Sequence, residues 1–287
     1  MFVNLTLADF FALAAVMLVG LPHGAFDGVI AFILGYGRSI RKITGFMVMY
    51  LLLVGLGLTI WMVSPVFALA AFLIMTIIHF GSGDLPEIEQ QVSGRITSLQ
   101  KPILAFAHGC LVPVFLPLAH QAEVQTLFSV LAGPNIIILF DGLNMLACLW
   151  VASLLVYGYL AFQMERYRRS FAEIILLSAG LFILPPLVGF ALYFCCVHSR
   201  RHFISMWITL NSLMQRSHII ITAVALTIMT WAGAGVFFGL QLSGGMVSSD
   251  MAALRTVFIL LAALTVPHMI LVDCMFSPLL KRVRADG

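Results

Sequence analysis

The sequence predicts an all-α integral membrane protein, a polytopic helical bundle with about nine transmembrane helices. Two features of the composition lead to this prediction: 62% of the 287 residues are hydrophobic and only 9% are charged. Soluble domains contain roughly 45–50% hydrophobic residues and about 25% charged residues. The third feature is that the apolar runs are continuous rather than alternating. Because backbone groups in lipid must bond to one another, each crossing is expected to be a helix.

Nine apolar runs come near the roughly 20 residues that a spanning helix needs. Their ranges, in chain order, are 7–32, 43–63, 66–80, 101–118, 136–162, 172–184, 187–210, 218–240 and 251–276. Pro185 and Pro186 separate the sixth run from the seventh. If this pair is a kink within one long helix rather than a turn, the count is eight.

The rest of the chain contains no soluble domain and no long linker. The longest polar segment, residues 81–100, is interpreted as a connector. We therefore expect residues 1–287 to form a single transmembrane domain. The first apolar run has no basic residue before it and carries Asp27, so it is expected to be a retained helix rather than a signal peptide.

The distribution of basic residues predicts the orientation in a cell membrane. With the N-terminus outside, nine crossings place the basic clusters in the cytoplasm, from Arg38 to Lys281, Arg282 and Arg284, and leave only Arg255 outside. This agrees with the positive-inside rule and predicts a cytoplasmic C-terminus. The net charge of +3 is too small and too scattered to indicate nucleic acid, so lipid is the expected partner.

The five cysteines lie in apolar stretches without CxxC spacing. We therefore expect them to be buried small side chains rather than disulfide partners or metal ligands. They are Cys110, Cys148, Cys195, Cys196 and Cys274.

Five of the eight histidines are predicted to share one depth, in the cytoplasmic halves of the first, third, seventh and ninth helices. They are His23, His79, His198, His202 and His268. A polar group within hydrocarbon is costly unless it is paired, so histidines at one depth indicate a functional site.

The segment CVHSRRH carries the strongest local signal. His198 and His202 are four residues apart, which places both rings on one helical face about one turn apart. Neutral imidazoles bind iron, copper, zinc and nickel, and the matching depth of His23 and His79 favours a metal site. The alternative is that the pair packs near the membrane interface beside Arg200 and Arg201.

Two carboxylates follow candidate ligands. Asp27 lies one turn after His23, where it would accept a hydrogen bond from a ligand ring or form the polar end of a helix. Asp84 follows His79 and has the same alternatives, a ligand partner or a solvated loop residue. His268 is interpreted as a residue that supports the ligands or packs between helices rather than as a fifth ligand.

The three remaining histidines are given structural roles. His108 is expected to be a hydrogen-bonded packing residue within a membrane helix. His120 and His218 lie at helix ends beside polar residues, where they are expected at the membrane interface.

Four ordered motifs carry a family resemblance: LPHGAFD, IHFGSGD, FCCVHSRRH and VPHMILVD. Together they resemble the Brp/Blh family of bacterial and archaeal membrane β-carotene 15,15'-dioxygenases, over nearly the whole chain. The resemblance implies that O2 cleaves the central double bond of β-carotene to give two molecules of all-trans retinal. It also implies a link to a retinal-binding rhodopsin.

The resemblance further implies a non-haem Fe(II) ion bound by four histidines. Matched motif by motif, these are His23, His79, His198 and His202, while the role of His268 is not fixed by the match. An iron ion held by imidazoles keeps positions open for O2 without adding carboxylate charge to its ligands.

Two other functions remain as alternatives. A membrane di-iron desaturase or hydroxylase acting on lipid or carotenoid also uses HxxxH, but it needs several histidine boxes such as HxxHH, and this chain has one HxxxH. A transporter with an intramembrane metal site predicts polar residues at several depths along facing helices, whereas the histidines here are predicted at one depth.

Overall fold

The structure is a computed structural model that describes residues 4–92, 96–244 and 247–276, apart from the side chains of His23 and Cys274. Those residues form helices and turns, with no strand among them, so the predicted all-α class is confirmed. Four basic residues used to predict the orientation lie outside this description. They are Arg95, Lys281, Arg282 and Arg284.

Helical residues, including 3-10 and π-helical turns, lie in all nine predicted ranges. In chain order, the α-helices of the described residues are α1 Leu7–Ala15, α2 Asp27–Ile33, α3 Ile40–Val63, α4 Pro65–Val92, α5 Gln100–Gly109, α6 Leu116–Ala119, α7 Gln121–Ala132, α8 Ile137–Gln163, α9 Arg168–Ile183, α10 Pro186–Ala191, α11 Arg200–Asn211, α12 Arg216–Ser243 and α13 Ser249–Met269. Helix α7 was not predicted.

Within the described ranges, six helical segments are long and apolar enough to cross a membrane. They are Leu7–Ile33, Ile40–Val63, Pro65–Val92, Ile137–Gln163, Arg216–Ser243 and Ser249–Asp273. The pair Gln100–Gly109 and Leu111–Ala119, bent by 44°, would be a seventh if it forms one span. These helices indicate a membrane protein, but they do not confirm the predicted count of nine crossings.

The side chains of α3 and α12 are exposed as a membrane protein requires. Leu52 on α3 is 63% exposed and Ile221 on α12 is 66% exposed, and both helices leave most of their apolar surface uncovered. In water an apolar surface of this extent would be unfavourable, whereas lipid chains cover it without cost.

Besides the bent pair, two of the nine predicted crossings are not among the six, for identifiable reasons. Helix α9 has 16 residues, fewer than the roughly 20 that a span needs. The next helical stretch, residues 186–211, is long enough but carries Arg200 and Arg201 as well as two histidines. Leu184 and Pro185, which lie between α9 and α10, both have extended backbone conformations. The Pro–Pro pair therefore forms a turn between two helices rather than a kink within one.

The interpretation of residues 81–100 as a connector was wrong for its first part, because helix α4 continues to Val92 with Pro86 inside it. Several polar side chains of this extension are bonded to other protein groups. Gln91 donates to Glu173 Oε2 over 2.8 Å, for example, and Asp84 is fully buried.

The chain divides into two compact units. Unit 1 contains residues 3–13 and 66–201, and in it α5 packs against α8. The indole Nε1 of Trp150 donates to the carbonyl oxygen of Ala107 over 2.8 Å, which ties these two helices together. Tyr157 and Ile174 are fully buried in the same unit.

Unit 2 contains residues 14–65 and 202–287. Helix α3 packs closely against α13, since a Cβ at Gly57 would lie 3.2 Å from the Cα of Ala263. Helix α12 packs against the 3-10 helix Leu21–Phe26 and α2. A core cluster that includes Phe26 and Leu210 joins these elements.

The cysteine prediction holds in part. Cys110 and Cys195 are buried, but Cys148 and Cys196 are exposed, so the expectation that all are buried was wrong for these two. An apolar stretch in a membrane helix includes side chains that face outward, and sequence alone does not separate the two faces. The four described cysteines are free thiols, and Cys274 lies outside the described side chains.

We expect Gly81→Ala to destabilise the protein, because α4 and α5 of unit 1 touch at this residue. An added Cβ would lie 2.4 Å from the carbonyl oxygen of Ala105, a backbone atom that cannot rotate away. Overpacking of this kind costs about 1–3 kcal/mol, which thermal melting in detergent would register as a lower midpoint.

Gly142→Ala on α8 is the matched control. No atom lies within 4 Å of a Cβ at this residue, and alanine is favoured over glycine in a helix by roughly 0.5–1 kcal/mol. The control is therefore expected to melt at or slightly above the wild-type temperature. A Gly81→Ala protein as stable as Gly142→Ala would contradict the close helix contact.

Candidate functional site

Unit 1 brings two of the predicted metal ligands together. His79 lies on α4 and His198 lies in the π-helical segment Leu192–Ser199. Their ring centres are 5.0 Å apart with an angle of 72° between the ring planes. Both residues are almost fully buried.

Aromatic rings and a glycine form the surroundings of His198. Its ring centre lies 4.2 Å from that of Phe80 and 6.1 Å from that of Phe194. Gly83 allows α4 to approach closely, since a Cβ there would lie 3.0 Å from the His198 Cε1 atom. The HFGSGD motif therefore supplies His79 itself and also the space that the second ring occupies.

Unit 2 contains a second pair of imidazoles. His202 on α11 and His268 near the end of α13 have ring centres 5.3 Å apart, with 68° between their planes. His268 is buried and His202 is half-buried. The sequence placed these residues at one depth, and the structure adds that they are neighbours.

Asp27 is the carboxylate of the unit 2 pair. The Nδ1 of His268 bonds to Asp27 Oδ1 over 2.8 Å, and the hydroxyl of Tyr50 donates to Oδ2 over 2.8 Å. Since an ionised carboxylate only accepts, His268 carries its proton on Nδ1 in this bond. Asp27 is 2% exposed, so these two bonds satisfy a buried charge. Among the described histidine rings, the one that bonds to Asp27 is thus His268. The ring of His23 lies outside the described side chains.

Asp84 is a buried carboxylate of unit 1, as Asp27 is of unit 2, but its hydrogen-bond partners are different. The hydroxyl of Tyr193 donates to its Oδ2 over 2.9 Å, and Arg201 donates to its Oδ1 over 3.2 Å. Arg201 also forms an ion pair with Glu173. The expectation of a solvated loop residue was wrong for Asp84, and its hydrogen bonds go to these groups rather than to His79.

The histidines without a predicted ligand role are spread over the fold. His108 is buried as expected, with Nδ1 4.0 Å from Asp84 Oδ2, but neither ring nitrogen makes a hydrogen bond to a described residue. His120 Nε2 lies 2.9 Å from the carbonyl oxygen of Leu181. His218 is exposed near the start of α12.

Irregular helix turns accompany most of the candidate ligands. His23 lies in the 3-10 helix Leu21–Phe26, which follows the π-helical turn Val16–Gly20. His198 lies in a π-helical segment, and another begins two residues after His268. Turns of this kind are often found at functional sites because they redirect side chains without ending the helix.

The described side chains include no group of three or more His, Cys, Asp and Glu residues close enough to hold a metal ion. That description does not include the ring of His23. The described candidate ligands and supporting residues therefore form two pairs of imidazoles, each within one unit.

Comparison with known proteins identifies the family. The sequence model of the family described as "Beta-carotene 15,15'-dioxygenase" matches residues 14–276, nearly the whole chain. The chain belongs to this family. The match includes all four histidines of the two pairs, as well as the motif around His23.

Two curated relatives support the assignment. The protein named Beta-carotene 15,15'-dioxygenase from uncultured marine bacterium 66A03 is 39% identical over 283 residues, which cover 98% of each chain. The protein named Probable beta-carotene 15,15'-dioxygenase Blh from Halobacterium salinarum is 29% identical over 212 residues, 66% of this chain and 59% of the relative. No solved structure matches the chain.

Sequence reasoning did not find the groups that hold the two carboxylates. Tyr50, Tyr193 and Glu173 gave no local signal, because each meets its partner through tertiary contact. Arg201 had a signal, since it lies between His198 and His202, but it was interpreted only as an interfacial charge. A buried arginine in an apolar helix is a candidate for an ion pair, and that reasoning would have pointed to a buried carboxylate.

Proposed function

We propose that this protein cleaves β-carotene at its central 15,15' double bond, using Fe(II) held by His23, His79, His198 and His202. Each carbon of the broken double bond becomes an aldehyde carbonyl, so one O2 supplies the two oxygen atoms that two molecules of all-trans retinal require. The observation that carries the proposal is that two of these histidines, His79 and His198, form a close pair of buried imidazoles in a chain of this family.

The spacing of the rings agrees with shared metal ligation. Imidazole nitrogens bind first-row metals at about 2.0–2.1 Å, so two rings on one ion have centres roughly 5 Å apart when their bonds are near a right angle. The observed separation of 5.0 Å between the proposed ligands His79 and His198 fits this value. The donor set also fits, since imidazole is a suitable ligand for Fe(II).

Bound iron would supply the activation of O2 beside the polyene. The protein's part is to hold the imidazoles in place, to keep water away and to present an apolar surface to the substrate. Phe80 and Phe194 perform the second and third tasks around His198, because their rings cover it with hydrocarbon. A carotenoid dissolves in the bilayer, so it reaches such a surface from lipid without entering water.

Asp27 and His268 are proposed to support the ligand set from unit 2. Asp27 fixes the tautomer and the orientation of His268, whose ring lies against that of His202. A carboxylate that bonds to a ring restricts its rotation, and here the ring held in this way packs against the proposed ligand His202. Asp84 is proposed to act less directly, by holding Arg201 and Tyr193 on the segments that carry His198.

The family membership argues against the desaturase and transporter alternatives. We propose that the protein resides in the cell membrane with a cytoplasmic C-terminus, and that the retinal passes to a retinal-binding rhodopsin. The whole chain is proposed as one catalytic domain.

Single alanine substitutions of the proposed ligands test the iron site. We expect His79→Ala, His198→Ala and His202→Ala each to lower retinal formation more than about 100-fold, since loss of a ligand exceeds the 10- to 100-fold effect of losing a ligand's partner. The measurements are iron per protein by elemental analysis and retinal by chromatography, after expression in a host that accumulates β-carotene.

His218→Ala is the control, because this residue is exposed and lies outside both pairs. It is expected to keep wild-type iron content and retinal formation. If His198→Ala and His202→Ala matched His218→Ala in both measurements, the proposed iron site would be wrong. If the wild-type protein were present in the membrane and the orange pigment persisted, the proposed activity would be wrong.

Asp27→Asn tests the support of the ligand set. Asparagine keeps the shape and an acceptor oxygen but removes the charge, so iron affinity is expected to fall about 10- to 100-fold. Competition with a chelator measures this affinity without relying on turnover. Tyr50→Phe is the control, since it removes one bond to Asp27 and leaves the bond to His268, and a smaller loss is expected. Equal iron affinity in Asp27→Asn and wild type would exclude this role.

A further inference from the structure

Unit 2 contains a cavity of about 440 Å³ between α3 and α12. Residues of α2, α13 and the 3-10 helix Leu21–Phe26 complete its wall. This volume is within the range of small-molecule binding sites, which are about 300–1,000 Å³.

The wall of the cavity suits a hydrocarbon. Of the nineteen lining residues, only Asp27, Tyr50 and Thr230 have polar side chains. Tyr50 is bonded to Asp27, and Asp27 uses its second oxygen for His268. The Thr230 hydroxyl donates to the carbonyl oxygen of Leu226 over 2.9 Å. The polar groups are therefore already occupied by protein partners, which leaves van der Waals and hydrophobic contact as the main means of binding.

The inner end of the cavity lies at Gly24 and at Asp27, the hydrogen-bond partner of His268. Gly24 and Asp27 both line it. A Cβ at Gly24 would lie 3.3 Å from Asp27 Oδ2 and 3.8 Å from His268 Nδ1, so a side chain here would separate the cavity from this pair. The absence of a side chain at Gly24 gives an apolar ligand access to the region of the proposed ligands.

The outer part of the cavity opens on the lipid-facing surface. Leu51 on α3 and Val236 and Leu240 on α12 all line the cavity and are 59%, 64% and 65% exposed. A hydrocarbon in the bilayer can enter between these side chains without crossing water. The inner end then places the ligand against Gly24 and Asp27.

We propose that this cavity binds one arm of the carotenoid, a terminal ring with its half of the polyene, and so determines which double bond reaches the iron. This inference rests on the proposed function. Cleavage at the centre of a symmetric molecule by a single metal ion leaves an arm on each side, and the distance from the cavity mouth to Gly24 limits how far one arm can enter. The cavity is thereby a determinant of specificity as well as of binding.

Gly233 gives a direct test, because it lines the cavity and no atom lies within 4 Å of a Cβ built on it. The Cβ of a leucine there has open space, and the rest of its side chain would occupy the cavity. Gly235→Leu is the matched control, since Gly235 lies on the same helix, has equally open surroundings and does not line the cavity.

We expect Gly233→Leu to lower kcat/KM for β-carotene at least about tenfold, because one methylene of mismatch in an apolar pocket changes this ratio about 10- to 200-fold. The decrease in kcat/KM should be smaller for a substrate with one shortened arm, since the shorter arm fills less of the cavity. Gly233→Ala should show an intermediate loss. Gly235→Leu should retain wild-type kinetics, and both leucine variants should retain wild-type iron content.

Binding is measured separately by the visible circular dichroism of β-carotene added to the full-length protein without O2, where no cleavage consumes it. β-Carotene is achiral, so a signal reports binding in a chiral site. We expect Gly233→Leu to weaken this signal and Gly235→Leu to preserve it. An unchanged signal and unchanged kcat/KM in Gly233→Leu would overturn the inference. That outcome leaves the proposed function intact, whereas failure of the wild type to form retinal would refute the function itself.

Discussion

Buried polar groups in an apolar helical protein must be bonded to other groups, because neither lipid nor hydrocarbon side chains can replace water. Asp27 shows the consequence most directly. Both of its oxygens are bonded, one to Tyr50 and one to His268, which lies 241 residues further along the chain. The same two bonds that stabilise the carboxylate also fix α2 against α3 and α13. They orient the ring that lies beside His202.

Unit 1 satisfies the same requirement with charged partners. Asp84 is fully buried between Tyr193 and Arg201, and Arg201 is paired with Glu173 as well. Breaking a buried ion pair leaves an uncompensated charge, so this network holds α4 and α9 to the helical stretch that carries His198. In each unit a close pair of imidazoles therefore belongs to a framework whose own polar groups are bonded to one another. The surfaces left for a substrate are apolar.

Much of this arrangement could be predicted from the sequence. Composition and continuous apolar runs gave the all-α class, and the ordered histidine motifs led to the family. The extent of α4 could not be predicted, because a search for apolar runs stops where Asp84 and Glu87 begin, and the burial of Asp84 depends on Arg201. The number of crossings was uncertain for a related reason, since residues 186–211 combine a spanning length with charges typical of an interface.

The partnership of His268 was also beyond the sequence. Its depth was predicted, but depth does not distinguish neighbours from residues on opposite sides of a protein, and the adjacent Asp27 pointed to His23. The partner of His268 is determined by the tertiary packing of α13 against α3. This packing depends on small residues such as Gly57 and Ala263, which carry no chemical signal of function. The pairing of His79 with His198 similarly depends on Gly83, which sequence analysis did not single out.

The central claim is that imidazoles from distant parts of the chain bind one iron ion. X-ray absorption at the iron edge of the purified protein tests it most directly, because multiple scattering from imidazole rings reports how many histidines are bound. The account predicts at least three imidazole nitrogens at about 2.1 Å. A spectrum with two or fewer imidazoles, or one dominated by oxygen or sulfur ligands, would contradict it.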